Sequence, residues 1–205
     1  MHLEVLSSEQ IDMLPFIKLF KTKFYLVGGT AIALQIGHRK SIDFDLFSGK
    51  VFQVSSVHKK VIEIFSNAKT IHRSNDQIHY LLDGVKVTFF FYPFQVPAKN
   101  KLTDVINMPN LLSLAAMKAF ALGRRAKWKD YVDLYFLLKN HFSIEAIAAE
   151  AKLIFGENFN SKLFKQQLIF FEDIDYTEEV FFLSGFEVSD SEVKSFLIEI
   201  ATRDI

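Results

Sequence analysis

The sequence contains no cysteine, which excludes a disulfide scaffold, a thiol nucleophile and a thiolate zinc site. Proline and glycine are sparse, 4 and 8 of 205 residues, and nowhere do they gather into a linker. Net charge is absent too, with 24 basic against 24 acidic residues, so the broad basic footprint of a bulk nucleic-acid binder is missing while a local patch remains possible. No apolar run approaches the roughly 20 residues that cross a bilayer, and the first ten residues lack the basic flank and long apolar stretch of a signal peptide. A cytoplasmic protein without a membrane partner is the expectation. The histidines show no H-x-x-x-H spacing, no serine sits in G-x-S-x-G, and Gly28-Gly29-Thr30 lacks the lysine of a Walker loop. Zinc-hydrolase, serine-hydrolase and P-loop chemistries therefore fall.

What is present is a core: half the residues are hydrophobic and 23 are Phe, a load that argues for folded packing. The pattern changes near residue 100. Before it, β-type runs at 24–27, 43–47, 69–73, 77–82 and 85–92 alternate with helical stretches. A first helix is expected from Ser7 or Ser8, with Pro15 kinking or dividing it. Asp83-Gly84 between two alternating runs predicts a two-residue hairpin turn. After residue 100 nearly everything reads helical: a helix capped by Asn110 and stopped by Gly123, then helices over 127–139, 144–154, 161–170 and 191–201. Phe164, Phe170, Phe171, Phe181, Phe182 and Phe186 in this part read as core. The fold class is α+β, a mixed sheet with flanking helices over 1–100 followed by an all-helical domain over 101–205.

Chemistry gathers in three places. Phe24 to Val27 runs straight into Gly28-Gly29 and then a helix, an arrangement that lets backbone N–H groups face an anion without an intervening Cβ. Asp43-Phe44-Asp45 follows; on a strand both carboxylates share one face, where they repel unless a cation lies between them. Mg²⁺ suits such a pair, because it is commonly held by one or two carboxylates and the phosphates of a substrate. Arg39, beside the glycines, is a further candidate for phosphate. In the helical half Lys118 shares a face with Leu111, Leu114 and Leu122, and Asp130 or Asp133 on the next helix could answer its charge, as a site or simply as an interhelical salt bridge. Arg124-Arg125-Ala126-Lys127-Trp128-Lys129 could grip a triphosphate or an RNA backbone, with Trp128 stacking on a base, or be a solvated helix connection.

The run from Leu26 to Phe47, with Gly28-Gly29-Thr30 and Asp43-Phe44-Asp45, closely resembles the first motif of the AbiEii/AbiGii-type toxin nucleotidyltransferases of the DNA polymerase β-like superfamily. Lys118 to Ala121 with Arg125, and Lys129-Asp130-Tyr131-Val132-Asp133 onward, resemble the downstream motif; the run 167–175 resembles the tail of bacterial members. The resemblance implies a metal-dependent nucleotidyltransferase, using Mg²⁺ or Mn²⁺, that moves a nucleoside monophosphate from a nucleoside triphosphate to an acceptor hydroxyl, RNA or tRNA, some members of the family acting as the toxin of a type IV pair with a cognate antitoxin. By the same resemblance Gly28, Gly29 and Thr30 hold the triphosphate, Asp43 and Asp45 the metal, Lys118 a nucleotide phosphate, and Asp130 and Asp133 complete the site.

One departure stands out. Where many relatives carry a third carboxylate on a later strand, this chain offers Thr88, which cannot serve as a base. Two alternatives therefore stay open: a catalytically degenerate nucleotide- or partner-binding module on the same fold, and a nucleotidyltransferase acting on a small molecule.

Overall fold

The computed structural model describes residues 1–122 and 124–203. Gly123, the expected helix stop, lies outside the described residues. The chain divides into two compact units, Met1–Asn110 and Leu111–Ile205.

In the first unit, Ser7 caps helix α1 (Ser8–Lys18) through a reciprocal capping box with Gln10. The helix runs through Pro15 undivided, because the capped first turns and the buried Met13, Phe16 and Ile17 hold it on both sides of the missing N–H. Strand β1 (Tyr25–Val27) leads directly into helix α2 (Gly28–Ile36), which the left-handed Gly37 ends. Strand β2 (Asp43–Ser48) and helix α3 (Val54–Ile64) follow, then β3 (Lys69–Arg73), β4 (Gln77–Leu82) and β5 (Val85–Phe91). The sheet order is β1-β2-β5-β4-β3, antiparallel except for the parallel pair β2 and β5. Asp83 and Gly84 both have positive φ, 45° and 84°, as the hairpin turn requires.

One face of the sheet is the core of this unit. Phe44 and Leu46 are fully buried, and Phe89 meets Phe20 and Phe24 with ring centroids 4.7 and 5.3 Å apart. On the opposite face of β2 lie Asp43, Asp45 and Phe47, each half-buried. The change to helix comes later than the sequence pattern suggests: β6 (Asn100–Leu102) and β7 (Ile106–Met108) form a second hairpin in this unit. Gln35 of α2 holds it, donating to Pro109 O at 3.1 Å and accepting from Asn100 at 3.2 Å.

The second unit is helical: α4 (Leu111–Leu122), α5 (Trp128–Asn140), α6 (Ile144–Phe155), α7 (Ser161–Leu168) and α8 (Asp190–Thr202). Phe120 and Phe155 stack with centroids 3.9 Å apart, joining α4 to α6. Tyr135 packs on Phe196 and donates to Glu192 at 2.6 Å, fixing α8 on α5. Of the aromatics expected in the core, Phe164 is 3% exposed, but Phe170 and Phe181 are 41% and 54% exposed because they follow the end of α7 in an irregular segment with no apolar layer over it.

Candidate active site

The first unit brings the two glycines, the paired carboxylates and Arg39 into one place. Gly28 has φ +73°, which lets the chain turn from β1 into α2 without a connecting loop. A Cβ on Gly28 would collide with Asp45 Oδ2 and stand 3.2 Å from its Cγ, so the carboxylate lies directly against the glycine backbone. A Cβ on Gly29 would strike the Arg39 guanidinium. Arg39 is 2% exposed and donates to Lys40 O at 3.0 Å, so it is an internal charge rather than part of a surface patch. Thr30 is buried; its Oγ1 lies 2.8 Å from Ser41 Oγ and donates to the carbonyl oxygen of Asp43. That bond ties the first turn of α2 to the first residue of β2, and it gives Thr30 a positioning task.

The first turn of α2 carries no acidic residue and its N-cap, Val27, offers no side-chain acceptor. Its N–H groups and the positive end of the helix dipole therefore stand beside Asp45 without a competing carboxylate of their own. Gly29→Ala is expected to destabilise the protein by roughly 1–3 kcal/mol, since the added methyl must displace a buried guanidinium. Urea unfolding of the variant beside wild type reads this directly.

Register places Thr88 of β5 opposite Asp45 and Lys86 opposite Asp43. On the far side of β5, His79 of β4 pairs with Thr88, and His72 of β3 pairs with His79. In-register partners share a face, so Asp45, Thr88, His79 and His72 form one row across the sheet. Burial, then the neighbouring His72 and the charge of Lys86, lowers the His79 pKa, which keeps its imidazole neutral at neutral pH. Lys86, His79 and His72 escaped the motif reading, yet a two-residue turn at Asp83-Gly84 already implies the pairing of His79 with Thr88. Among the described residues no group of three or more His, Cys, Asp or Glu side chains gathers in metal-binding geometry.

In the second unit Lys118 of α4 is 5% exposed, with Nζ 2.7 Å from Asp130 Oδ1 and 2.9 Å from Asp133 Oδ2 on α5. Arg125 Nε reaches Asp130 Oδ2 at 2.9 Å. Burial pushes the Asp130 carboxyl up, but the Lys118 and Arg125 charges and the hydrogen bond from Lys118 outweigh it and leave the pKa lowered. The basic run is spent internally. Arg124 lies 3.6 Å over the Phe120 ring, Arg125 pairs with Asp130, and Lys127 and Lys129 both pair with Glu178. Trp128 is 5% exposed, stacked on Tyr131 and met by the tilted ring of Tyr176, so it is no open platform for a base.

The family model described as the nucleotidyl transferase AbiEii toxin of type IV toxin–antitoxin systems matches residues 17–103 and 83–197. The chain belongs to the AbiEii nucleotidyltransferase toxin family. An uncharacterized protein of Aquifex aeolicus is 33% identical over 164 residues, 77% of each chain. The fold is similar to that of the nucleotidyltransferase toxin MenT4 of Mycobacterium tuberculosis, with a TM-score of 0.64 and 11% identity over 95% of this chain and 82% of that one. It is similar also to JHP933 of Helicobacter pylori, with a TM-score of 0.50 and 19% identity over 72% and 74% of the two chains.

The donor set of this AbiEii-family chain suits a hard divalent cation. Two carboxylates on one strand face could supply oxygen ligands, and Thr88, in register with Asp45, could add a hydroxyl beside them. With few protein oxygens, such an ion keeps positions for water and phosphate. No helix among the described residues is long and apolar enough to cross a membrane.

Proposed function

We propose that this chain transfers a nucleoside monophosphate from a nucleoside triphosphate to the hydroxyl at the end of an RNA, tRNA being the first acceptor to test, and that it does so as the toxin of a type IV pair with a cognate antitoxin. The observation that carries this reading is the contact of Asp45 with Gly28: an acidic strand face and the uncapped start of α2 meet at one point. A triphosphate needs both, an anion-accepting backbone and carboxylates for the cation that accompanies it. The acceptor oxygen forms a bond to the α-phosphorus, the bond from that phosphorus to the bridging oxygen breaks, and pyrophosphate leaves carrying the electron pair. The acceptor proton passes to solvent. Asp43 and Asp45 would hold Mg²⁺, which supplies neutralisation of phosphate charge. The N–H groups at Gly28 and Gly29 orient the triphosphate, while Thr30 fixes the strand from which both carboxylates project.

Thr88 at the third-carboxylate position favours a second reading, a degenerate module that binds nucleotide without transfer. One experiment separates the two. Each of the four α-labelled triphosphates is incubated with the protein and total tRNA, with Mg²⁺ or with EDTA. Label on tRNA in Mg²⁺ alone is the expected result; no label on any acceptor from folded protein, with triphosphate still bound in EDTA, would leave the module.

A further inference from the structure

Away from the carboxylates, the first unit holds a cavity of 680 Å³ where the start of β1, the end of β2 and the start of α3 meet. Its nearest sheet residue on β2 is Ser48, about 10 Å along the strand from Asp45. Three lysines line it, Lys23, Lys50 and Lys60, and the lining contains no Asp or Glu at all. In a chain with no net charge that is a marked local imbalance. Among the described residues none of the three lysines forms an ion pair; the Lys60 ammonium lies over the Phe20 ring at 5.6 Å. The start of α3 adds to the field: its N-cap, Gln53, makes no side-chain cap bond and its first turn carries no acidic residue.

Beside these charges the cavity has a flat apolar wall. Phe24 and Phe52 meet edge to face with centroids 4.9 Å apart, and Phe52 is only half-buried.

Three lysines with no acidic neighbour in the lining, a helix start and an aromatic wall point to a ligand with a phosphate at one end and a flat ring at the other. We propose that this cavity is a second binding site, for a nucleoside phosphate, separate from the Gly28–Asp45 site and independent of metal. Two sources carry that chemistry, a free nucleotide and one unit of a single-stranded RNA. Lysines answer the phosphate and Phe52 offers a stacking face for the base. The binding does not depend on the transfer reading.

The test uses the full chain carrying Asp45→Asn, in EDTA, so that neither transfer nor metal-held triphosphate contributes. A fluorescein-labelled single-stranded oligoribonucleotide is followed by anisotropy, and unlabelled AMP is added in competition. Three phosphate-seeking cations predict a slope of log K against log salt near about −2 for a single strand. Lys50→Glu with Lys60→Glu, both at exposed positions, is expected to weaken binding at least tenfold and to flatten the slope; Phe52→Ala is expected to weaken binding while leaving the slope unchanged. Displacement by AMP at concentrations that leave the salt slope intact assigns the site to a free nucleoside phosphate, and retention of the strand assigns it to RNA. Binding unaltered in both variants, with wild-type circular dichroism, overturns the proposal, as does the absence of any binding by the parent chain.

Discussion

Replacing Asp45 with alanine is expected to lower nucleotide transfer by at least about 10²-fold, a loss of the size seen when even outer-shell partners of a metal site are removed. The strand does not depend on that side chain for its place. β2 is hydrogen-bonded on both sides, to β1 and to β5, and Phe44 and Leu46 anchor its other face in the core. Far-UV circular dichroism of the variant is therefore expected to match wild type. Asp45→Glu should fail as well, despite its conserved charge. The Asp45 carboxylate already occupies the space a Cβ on Gly28 would take, so a longer side chain has no room to keep its oxygens there. Full activity in Asp45→Glu would mean that the carboxylate needs no defined place against the start of α2. Labelled-triphosphate transfer in parallel reactions of the three proteins measures both effects.

The paired aspartates were legible because strand geometry is local. Period-two alternation through Asp43-Phe44-Asp45-Leu46 assigns faces without knowledge of the rest of the fold, and the structure has that alternation. The Asp83-Gly84 hairpin was legible for the same reason. The parallel pairing of β2 with β5 was not: nothing in either segment encodes a partner reached across α3, β3 and β4. The strands β6 and β7 are three residues each, too short to show a period. The basic run stayed open between two readings for a related reason. Its charges are answered by Glu178, some fifty positions onward in an irregular stretch, and a sequence window around Trp128 contains no trace of that partner. Lys118 with Asp133 was readable because both positions follow from helical spacing, whereas the fork of Arg125 onto Asp130 required the turn before α5 to be seen.

That cluster gives the largest expected effect on stability. Lys118→Met leaves Asp133 and Asp130 buried without the ammonium that lies 2.9 and 2.7 Å from them, and breaking such a pair from one side costs about 3–5 kcal/mol. The loss should depend on pH with a definite sign. Asp130 has its pKa lowered below 3.8 by its cationic neighbours, so its favourable contribution is complete above the carboxylate range and vanishes as the pH falls through the folded value. The gap between wild type and Lys118→Met, read by urea unfolding, is therefore expected to be widest near neutral pH and to narrow as the pH falls through about 4, the unfolded carboxylate value, and on through the lowered folded value of Asp130. Replacing all three together, Lys118→Met with Asp130→Leu and Asp133→Leu, removes the unpaired charges and should restore most of the stability, because a buried ion cluster is often no better than apolar side chains of similar volume. Transfer activity then separates two tasks for Lys118. The sequence resemblance gives the lysine a nucleotide phosphate; the observed carboxylates give it a structural one. A stable triple variant without transfer would place the lysine in the chemistry, and a stable triple variant with full transfer would make the cluster only the pin that joins α4 to α5.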